Sequence, residues 1–183
     1  MDRHNQLVKA ACDLIAEKGF EGLRVRDVAS LVQINPATVY HYFPTKEALI
    51  DAVVDYVFER LGILATESPG TPRDQFHAYL TRLYRQMRDE PGMFTVFAEI
   101  QLRAGRTAAS QKYLDLETMW HKKLVALLQA GIRQGYWPNY LEPEQVATTI
   151  LLTLNGAAMQ ASINPRSIGE SIGQLERWLT GRG

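Results

Sequence analysis

The stretch from Val28 to Lys46, VASLVQINPATVYHYFPTK, constrains this chain more than any other part of it. It holds two short helical patterns separated by a break with room only for a tight turn. The first pattern, Val25 to Val32, sets Val25, Val28, Ala29 and Val32 on one face at the i, i+3, i+4, i+7 spacing of an amphipathic helix. The break falls at Gln33-Ile34-Asn35. Asn35-Pro36 then starts a second helix, because an asparagine side chain caps free N–H groups and proline is preset for the first helical position. Val39 and Phe43 follow at i, i+4 and turn that face inward. The opposite face carries Ala37, Thr38, His41 and Tyr42, small and hydrogen-bonding groups that a buried helix does not use. A helix, a tight turn and a second helix with an outward polar face suit entry into a DNA major groove.

Bulk charge does not suggest nucleic acid. The chain has 183 residues, 46% of them hydrophobic and 22% charged, with a formal net charge of zero. That is enough apolar material for one domain or two small ones, and any basic surface has to be local. Between Leu23 and Lys46 the bases are Arg24, Arg26 and Lys46 against one acid, Asp27, so the bias sits where a reading head needs it. The single cysteine, Cys12, excludes an internal disulfide and suits a reducing compartment. It reads as a small core residue, with a redox-sensitive thiol as the alternative. No apolar run reaches the roughly 18 residues of a membrane span. The N-terminal MDRHNQLVKAA has no signal-peptide core. The expectation is a cytoplasmic protein that does not enter a membrane.

The rest of the chain is expected to be all-α, about nine helices in two domains. The head is expected over residues 1–47 and the helical body over 48–183, with a helix over 46–64 joining them. Leu7, Ala11, Leu14 and Ile15 mark a first helix that Gly19 ends. Phe20 to Leu23 is a loop, and the first helix is expected to brace the two helices of the head. Thr45 caps the fourth helix, whose apolar stripe includes Leu49, Val53, Val57 and Leu61 and runs to about Leu64. Ala65 to Pro72, ATESPGTP, is a linker. Phe76, Leu80, Leu83 and Met87 mark a fifth helix; Met93, Phe97 and Ile100 a sixth. A seventh runs from about Thr107 to Gln134 and stops at Gly135, with Tyr113, Leu116, Trp120, Leu124, Leu127 and Gly131 inward. The eighth opens at Pro143 and ends near Ser162; the ninth opens at Asn164-Pro165 and ends near Gly181.

The run Val28-Ala29, Ile34, Thr38-Val39-Tyr40, Phe43 and Lys46-Glu47-Ala48-Leu49 resembles the DNA-binding domain of the TetR/AcrR family of bacterial transcriptional regulators. The resemblance covers roughly residues 5 to 55; the remainder is similar only in length and helical character. It departs from the family at Arg24, where a Ser or Thr cap is usual, and at Gln33, where Gly is usual. A left-handed Gln33 costs on the order of 1 kcal/mol. Carried over by position, the resemblance implies DNA contacts by Arg26, Pro36, Ala37, Thr38, Tyr40, His41, Tyr42 and Lys46, and Arg24 can reach a phosphate. By their chemistry, Arg26 and Thr38 suit base edges and Ala37 a thymine methyl. Tyr40, His41, Tyr42 and Lys46 suit phosphates. Tyr40 also fits as a core or edge aromatic, and Lys46 as a solvated side chain.

For the body, the resemblance implies a small-molecule effector pocket and a homodimer built through the last two helices. Phe76, Tyr79, Tyr84, Met87, Met93, Phe97, Gln101, Met119 and Trp120 are candidate pocket residues, although such a stripe also reads as plain core. With no buried-charge cluster, a neutral apolar or aromatic ligand is expected. In the ninth helix Ile168, Ile172, Leu175 and Leu179 form a narrow seam. In the eighth, Ile150, Leu154 and Ala158 are its counterpart. These seven fit either the interior of one protomer or a two-fold four-helix interface, and the resemblance favours the interface.

No catalytic constellation stands out. His4, His41, His77 and His121 are scattered, and Glu117 with His121 at i, i+4 reads as a surface pair before it reads as half a metal site. No cofactor, metal or enzyme activity is expected. The function expected is a homodimeric repressor released from a near-palindromic operator in double-stranded DNA by a small molecule. The alternative is a helical ligand- or partner-binding protein without sequence-specific DNA binding.

Overall fold

Helix punctuation decides where each element begins and ends. The computed structural model describes residues 2–62, 69–106, 111–161 and 163–180, and these form nine α-helices with no strand among them. The head comprises α1 (Arg3–Gly22), α2 (Val25–Leu31) and α3 (Pro36–Tyr42), and α4 (Lys46–Arg60) leads out of it. The body comprises α5 (Pro72–Asp89), α6 (Pro91–Ala104), α7 (Gln111–Arg133), α8 (Pro143–Gln160) and α9 (Pro165–Thr180). Proline opens α3, α5, α6, α8 and α9, where its missing N–H would have been unbonded in any case. Asn35 and Thr45 cap as expected, accepting from the Ala37 and Ala48 amides. Thr71 and Asp74 form a reciprocal capping box, so α5 starts at Pro72, already within the expected linker. Residues 63–68, 107–110 and 181–183 lie outside the described residues, and with them most of that linker and the expected limits at Leu64, Thr107 and Gly181. So does Ser162.

Gly19 does break α1, at φ 68° and ψ 175°, but one further helical turn follows where a loop was expected. Gly135, at φ 76°, closes α7: its amide donates to Ile132 and the next, Tyr136, donates to Gly131. That paired ending leaves few helix carbonyls unbonded.

One hydrophobic core runs through both parts of the molecule. In the head it gathers Leu7, Ala11, Ile15, Val28, Ala29, Val39 and Phe43. α1 lies against α4 and α6 as well as α2, so it joins head to body more than it braces the reading helix. α4 carries Val53, Val57 and Phe58 into the body, where the Phe58 ring meets Phe97 edge-on at 5.7 Å and Tyr113 at 5.9 Å. Polar ties flank that seam. Arg103 of α6 donates to Glu47 at 2.7 Å and lies 5.3 Å from the Phe20 ring centre. Lys112 pairs with Asp55 at 2.6 Å, and Arg60 with Glu90. Arg82 and Gln86 of α5 donate to the carbonyls of Gly62 and Arg60, which caps the end of α4. The head is therefore held by α1, α4 and α6 together.

Candidate nucleic-acid interface

The α2–α3 connection is built from backbone hydrogen bonds that only one conformation allows. The Ile34 amide donates to Ala29 at 3.0 Å and the Gln33 amide to Ser30 at 3.1 Å, with Gln33 left-handed at φ 57°. This is the six-to-one and five-to-two closure usually given to glycine. Ile34 packs against the core and fixes the exit direction. The expected glutamine strain is therefore present, and the turn still forms.

α3 then buries Val39 at 1% exposure, and the following Phe43 covers the same side. Ala37, Thr38, Tyr40, His41 and Tyr42 stand outward, with Tyr40 51% and Tyr42 39% exposed, and Pro36 is half-buried. That exposure removes the reading of Tyr40 as a core aromatic. His41 and Tyr42 meet edge-on at 5.7 Å. Arg24 and Arg26 are exposed and have no ion-pair partner among the described residues. Arg24 occupies the cap position of α2 without a side-chain cap bond, as its chemistry requires. The one acid of this segment, Asp27, faces Lys18 at 4.0 Å. Lys46 is half-buried and its ammonium donates to the Phe20 carbonyl at 3.3 Å, so it is not simply a solvated side chain. The head thus offers two free guanidiniums beside a row of hydroxyl, imidazole and methyl groups.

In the body the expected pocket residues separate into groups. Phe76, Met87, Met93, Phe97 and Trp120 are buried, whereas Met119 is 38% exposed and turned outward, which follows from its place beside Trp120 on α7. Tyr84 lies against Gly169 of α9. Gln101 donates to the Tyr113 hydroxyl, which donates in turn to Glu117. Met93 lines a crevice of about 280 Å³ between α1, α4 and α6 with Lys9, Cys12, Tyr56 and Arg60. Phe97 and Trp120 come together edge-on at 6.3 Å. Trp137, expected only as part of the loop after Gly135, is a core residue of the body. It is 3% exposed, packs on Phe76 at 5.9 Å and covers Gly131, and that glycine on the inward stripe of α7 was the available signal.

The expected Glu117–His121 pair does not form, because His121 turns to α8. Its Nε2 lies 3.1 Å from Thr148 Oγ1 and 3.3 Å from the Glu144 carbonyl. Among the described residues no three His, Cys, Asp or Glu side chains gather in a way that could hold a metal.

The seven residues expected at a two-fold interface are all interior to one protomer. Ile150, Leu154, Ala158, Ile168, Ile172, Leu175 and Leu179 are each at most 7% exposed, because α8 packs on α6 and α7 while α9 packs on α5 and α8. The outward side of the same helices is apolar too. Leu152 is 67% exposed, Met159 54%, Ile163 75% and Trp178 65%. Thr149 and Thr153 give their hydroxyls to carbonyls one turn back, which leaves their methyl groups to cover that side. No charged residue occurs from Gln145 to Asn164.

Comparison with known proteins supports the same assignment. Residues 7–53 match the family model described as bacterial regulatory proteins, tetR family. The chain is 28% identical over 107 residues to YuxN of Bacillus subtilis, an uncharacterized HTH-type transcriptional regulator; the alignment covers 57% of this chain and only 35% of that protein. It is 22% identical over 148 residues to the HTH-type transcriptional repressor KstR2 of Mycobacterium tuberculosis, covering 79% of this chain and 74% of that one. Among solved structures it superposes on the transcriptional regulator FadR from Bacillus subtilis, in complex with stearoyl-CoA, with a TM-score of 0.77 at 19% identity. That match covers 98% of this chain and 99% of the other, and it shows the fold. No described helix is long and apolar enough to cross a membrane. The head motif and the family match thus agree over residues 7–53, which carry the pattern of the tetR family of bacterial regulatory proteins, on a chain whose whole length has the fold of solved transcriptional regulators.

Proposed function

We propose that this regulator is a homodimeric repressor that leaves a near-palindromic operator when a small molecule enters its body. The observation that carries the reading is the outward row on α3, Ala37, Thr38, Tyr40, His41 and Tyr42, flanked by the two unpaired guanidiniums. Arg26 and Thr38 read base edges, and Ala37 meets a thymine methyl. Arg24, Tyr40, His41, Tyr42 and the N-terminal turn at Pro36 rest on the backbone. Lys46, held on the Phe20 carbonyl, reaches a phosphate only by leaving it or by sharing its remaining protons. Two heads then take half-sites about 34–36 Å apart, or a multiple of that.

The second copy covers the outward side of α8 and α9. Leu152, Met159, Ile163 and Trp178 supply its apolar contact. FadR's complex with stearoyl-CoA supports the effector part of the reading for a body of this fold. A ligand here weakens operator binding only by its differential affinity for the two arrangements of the heads.

The test is fluorescence anisotropy with the DNA upstream of this protein's own coding sequence. Binding should exceed that to random duplex and weaken steeply with salt as counterions are released. Arg26→Ala and Thr38→Ala should each cost about 1–3 kcal/mol and relax base preference. A flat salt response with no preference over random duplex would reject the repressor and leave a helical ligand- or partner-binding protein.

A further inference from the structure

The crevice at Met93 lies where head and body join. α1 supplies Cys12 and Ala16 to its walls, α4 supplies Tyr56, and the start of α6 supplies Met93. These are the three helices that hold the head. Its volume of about 280 Å³ is close to the lower limit of small-molecule sites, which run from roughly 300 to 1,000 Å³. One side is narrow: a methyl group added at Gly92 of α6 would lie 3.7 Å from the Ala16 methyl.

The lining selects what can fill it. Its four charged side chains form closed pairs, Lys9 with Asp13 at 2.9 Å and Arg60 with Glu90 across the seam from α4 to α6. A charged ligand must break a pair or give up hydration with no unmatched charge to meet. Between the pairs the surface is soft and apolar. Cys12 and Met93 are 6% and 7% exposed and bring two polarizable sulfur atoms, which favour an aromatic ring. Tyr56 adds the polar group. It is half-buried, and its hydroxyl makes no hydrogen bond with any described residue. Burial raises that phenol above its ordinary pKa, so it stays an O–H donor at neutral pH.

We propose that this crevice is a second ligand site, separate from the effector site in the body. Its ligand is a small, uncharged aromatic molecule with one acceptor oxygen for the Tyr56 hydroxyl. Seated there, the molecule wedges α1 against α4 and α6 and changes the angle of the head. That effect on DNA rests on the operator reading above; the binding does not.

The chain has five methionines, so ¹³C-methyl labelling gives one signal for each, assigned with Met→Leu variants. The probes are coumarin, a neutral aromatic carbonyl, and coumarin-3-carboxylate, its charged counterpart. Coumarin should move the Met93 signal and leave that of the 54% exposed Met159 in place. The carboxylate should bind at least about fivefold more weakly. Tyr56→Phe keeps the ring and should weaken coumarin binding by roughly three- to tenfold, the effect of one lost hydrogen bond. Ala16→Leu fills the crevice from α1 and should weaken it by about tenfold or more. Saturating coumarin should change operator affinity by about threefold or more, and operator DNA should change coumarin affinity by the same factor. The site is overturned if coumarin leaves Met93 unmoved, if it moves Met87 alone, if the carboxylate binds as well, or if either variant binds unchanged. The wedge is overturned if coumarin binds and operator affinity stays constant. A moving Met93 in a protein that ignores operator DNA would sink the repressor and keep the site. A still Met93 in a protein that binds its operator would do the reverse.

Discussion

At the scale of single residues, Gln33 shows how local chemistry and the turn's demand disagree. Its φ of 57° belongs to the region L side chains avoid, and the bonds on either side hold it there. Gln33→Gly removes that penalty and should raise stability by about 0.5–1 kcal/mol, whereas Gln33→Val should lower it by about 1 kcal/mol or more. Urea unfolding of the three proteins checks the order. Gly131 makes the opposite case. A methyl group there would fall 1.9 Å from the buried Trp137 ring, so Gly131→Ala should cost about 1–3 kcal/mol and shift tryptophan emission as the ring moves. Cys12 is 6% exposed, and burial pushes its thiol from 9.0 up to about 12. It should resist thiol reagents at pH 8 in the folded protein, which favours the core reading over a redox sensor. Because its folded pKa is the higher one, its share of stability is complete below pH 9 and is lost as pH rises toward 12. Gln33 and Cys12 were readable because each depends on its own neighbourhood in sequence. Trp137 was not, since its partners Phe76 and Gly131 reach it only through the fold.

At the scale of elements, ends were more legible than faces. A helix start needs only a capping side chain and a proline at fixed spacing, so Asn35, Thr45 and Pro143 could be read directly. The Thr71-Asp74 box was present in the sequence and was masked there by the turn-forming residues around it. Thr71→Ala should cost about 1 kcal/mol at neutral pH, checked by thermal unfolding. Hydrogen bonds from Thr71 hold the Asp74 carboxyl below its ordinary 3.8. Its contribution is therefore complete above that value and lost as pH falls through the lower folded pKa. Asp74→Asn should flatten this acid limb. Faces were harder because α8 is apolar nearly all round. Its spacing marks Ile150, Leu154 and Ala158 as a stripe without saying whether a protomer or a partner covers it. His121 was misassigned for the same reason: i, i+4 spacing offers Glu117, while the packing of α7 on α8 offers Thr148 and Glu144.

At the scale of the whole molecule, the proposed dimer lets a head with few contacts gain its specificity from being present twice. The net charge is zero, so long-range attraction to DNA is weak, and on the proposed reading the local contacts of α3 carry the burden. Linking two such heads makes the second binding event intramolecular, which adds on the order of 10²–10⁴ in affinity only if the spacing matches. The proposed outward interface and the buried seam make opposite predictions about the same two helices. Leu152→Glu and Trp178→Glu put charge on exposed positions. Each should yield folded monomers in sedimentation velocity, with unfolding close to that of the parent protein apart from the lost dimer contribution, and operator affinity reduced by roughly the factor above. Leu175→Glu places a carboxylate at a site 3% exposed, so it should unfold the body and not merely separate the copies. If Leu175→Glu instead gives a folded monomer while Leu152→Glu keeps dimer mass, the two faces have been assigned the wrong way round, and α9 opens on association to bring its seam to the partner.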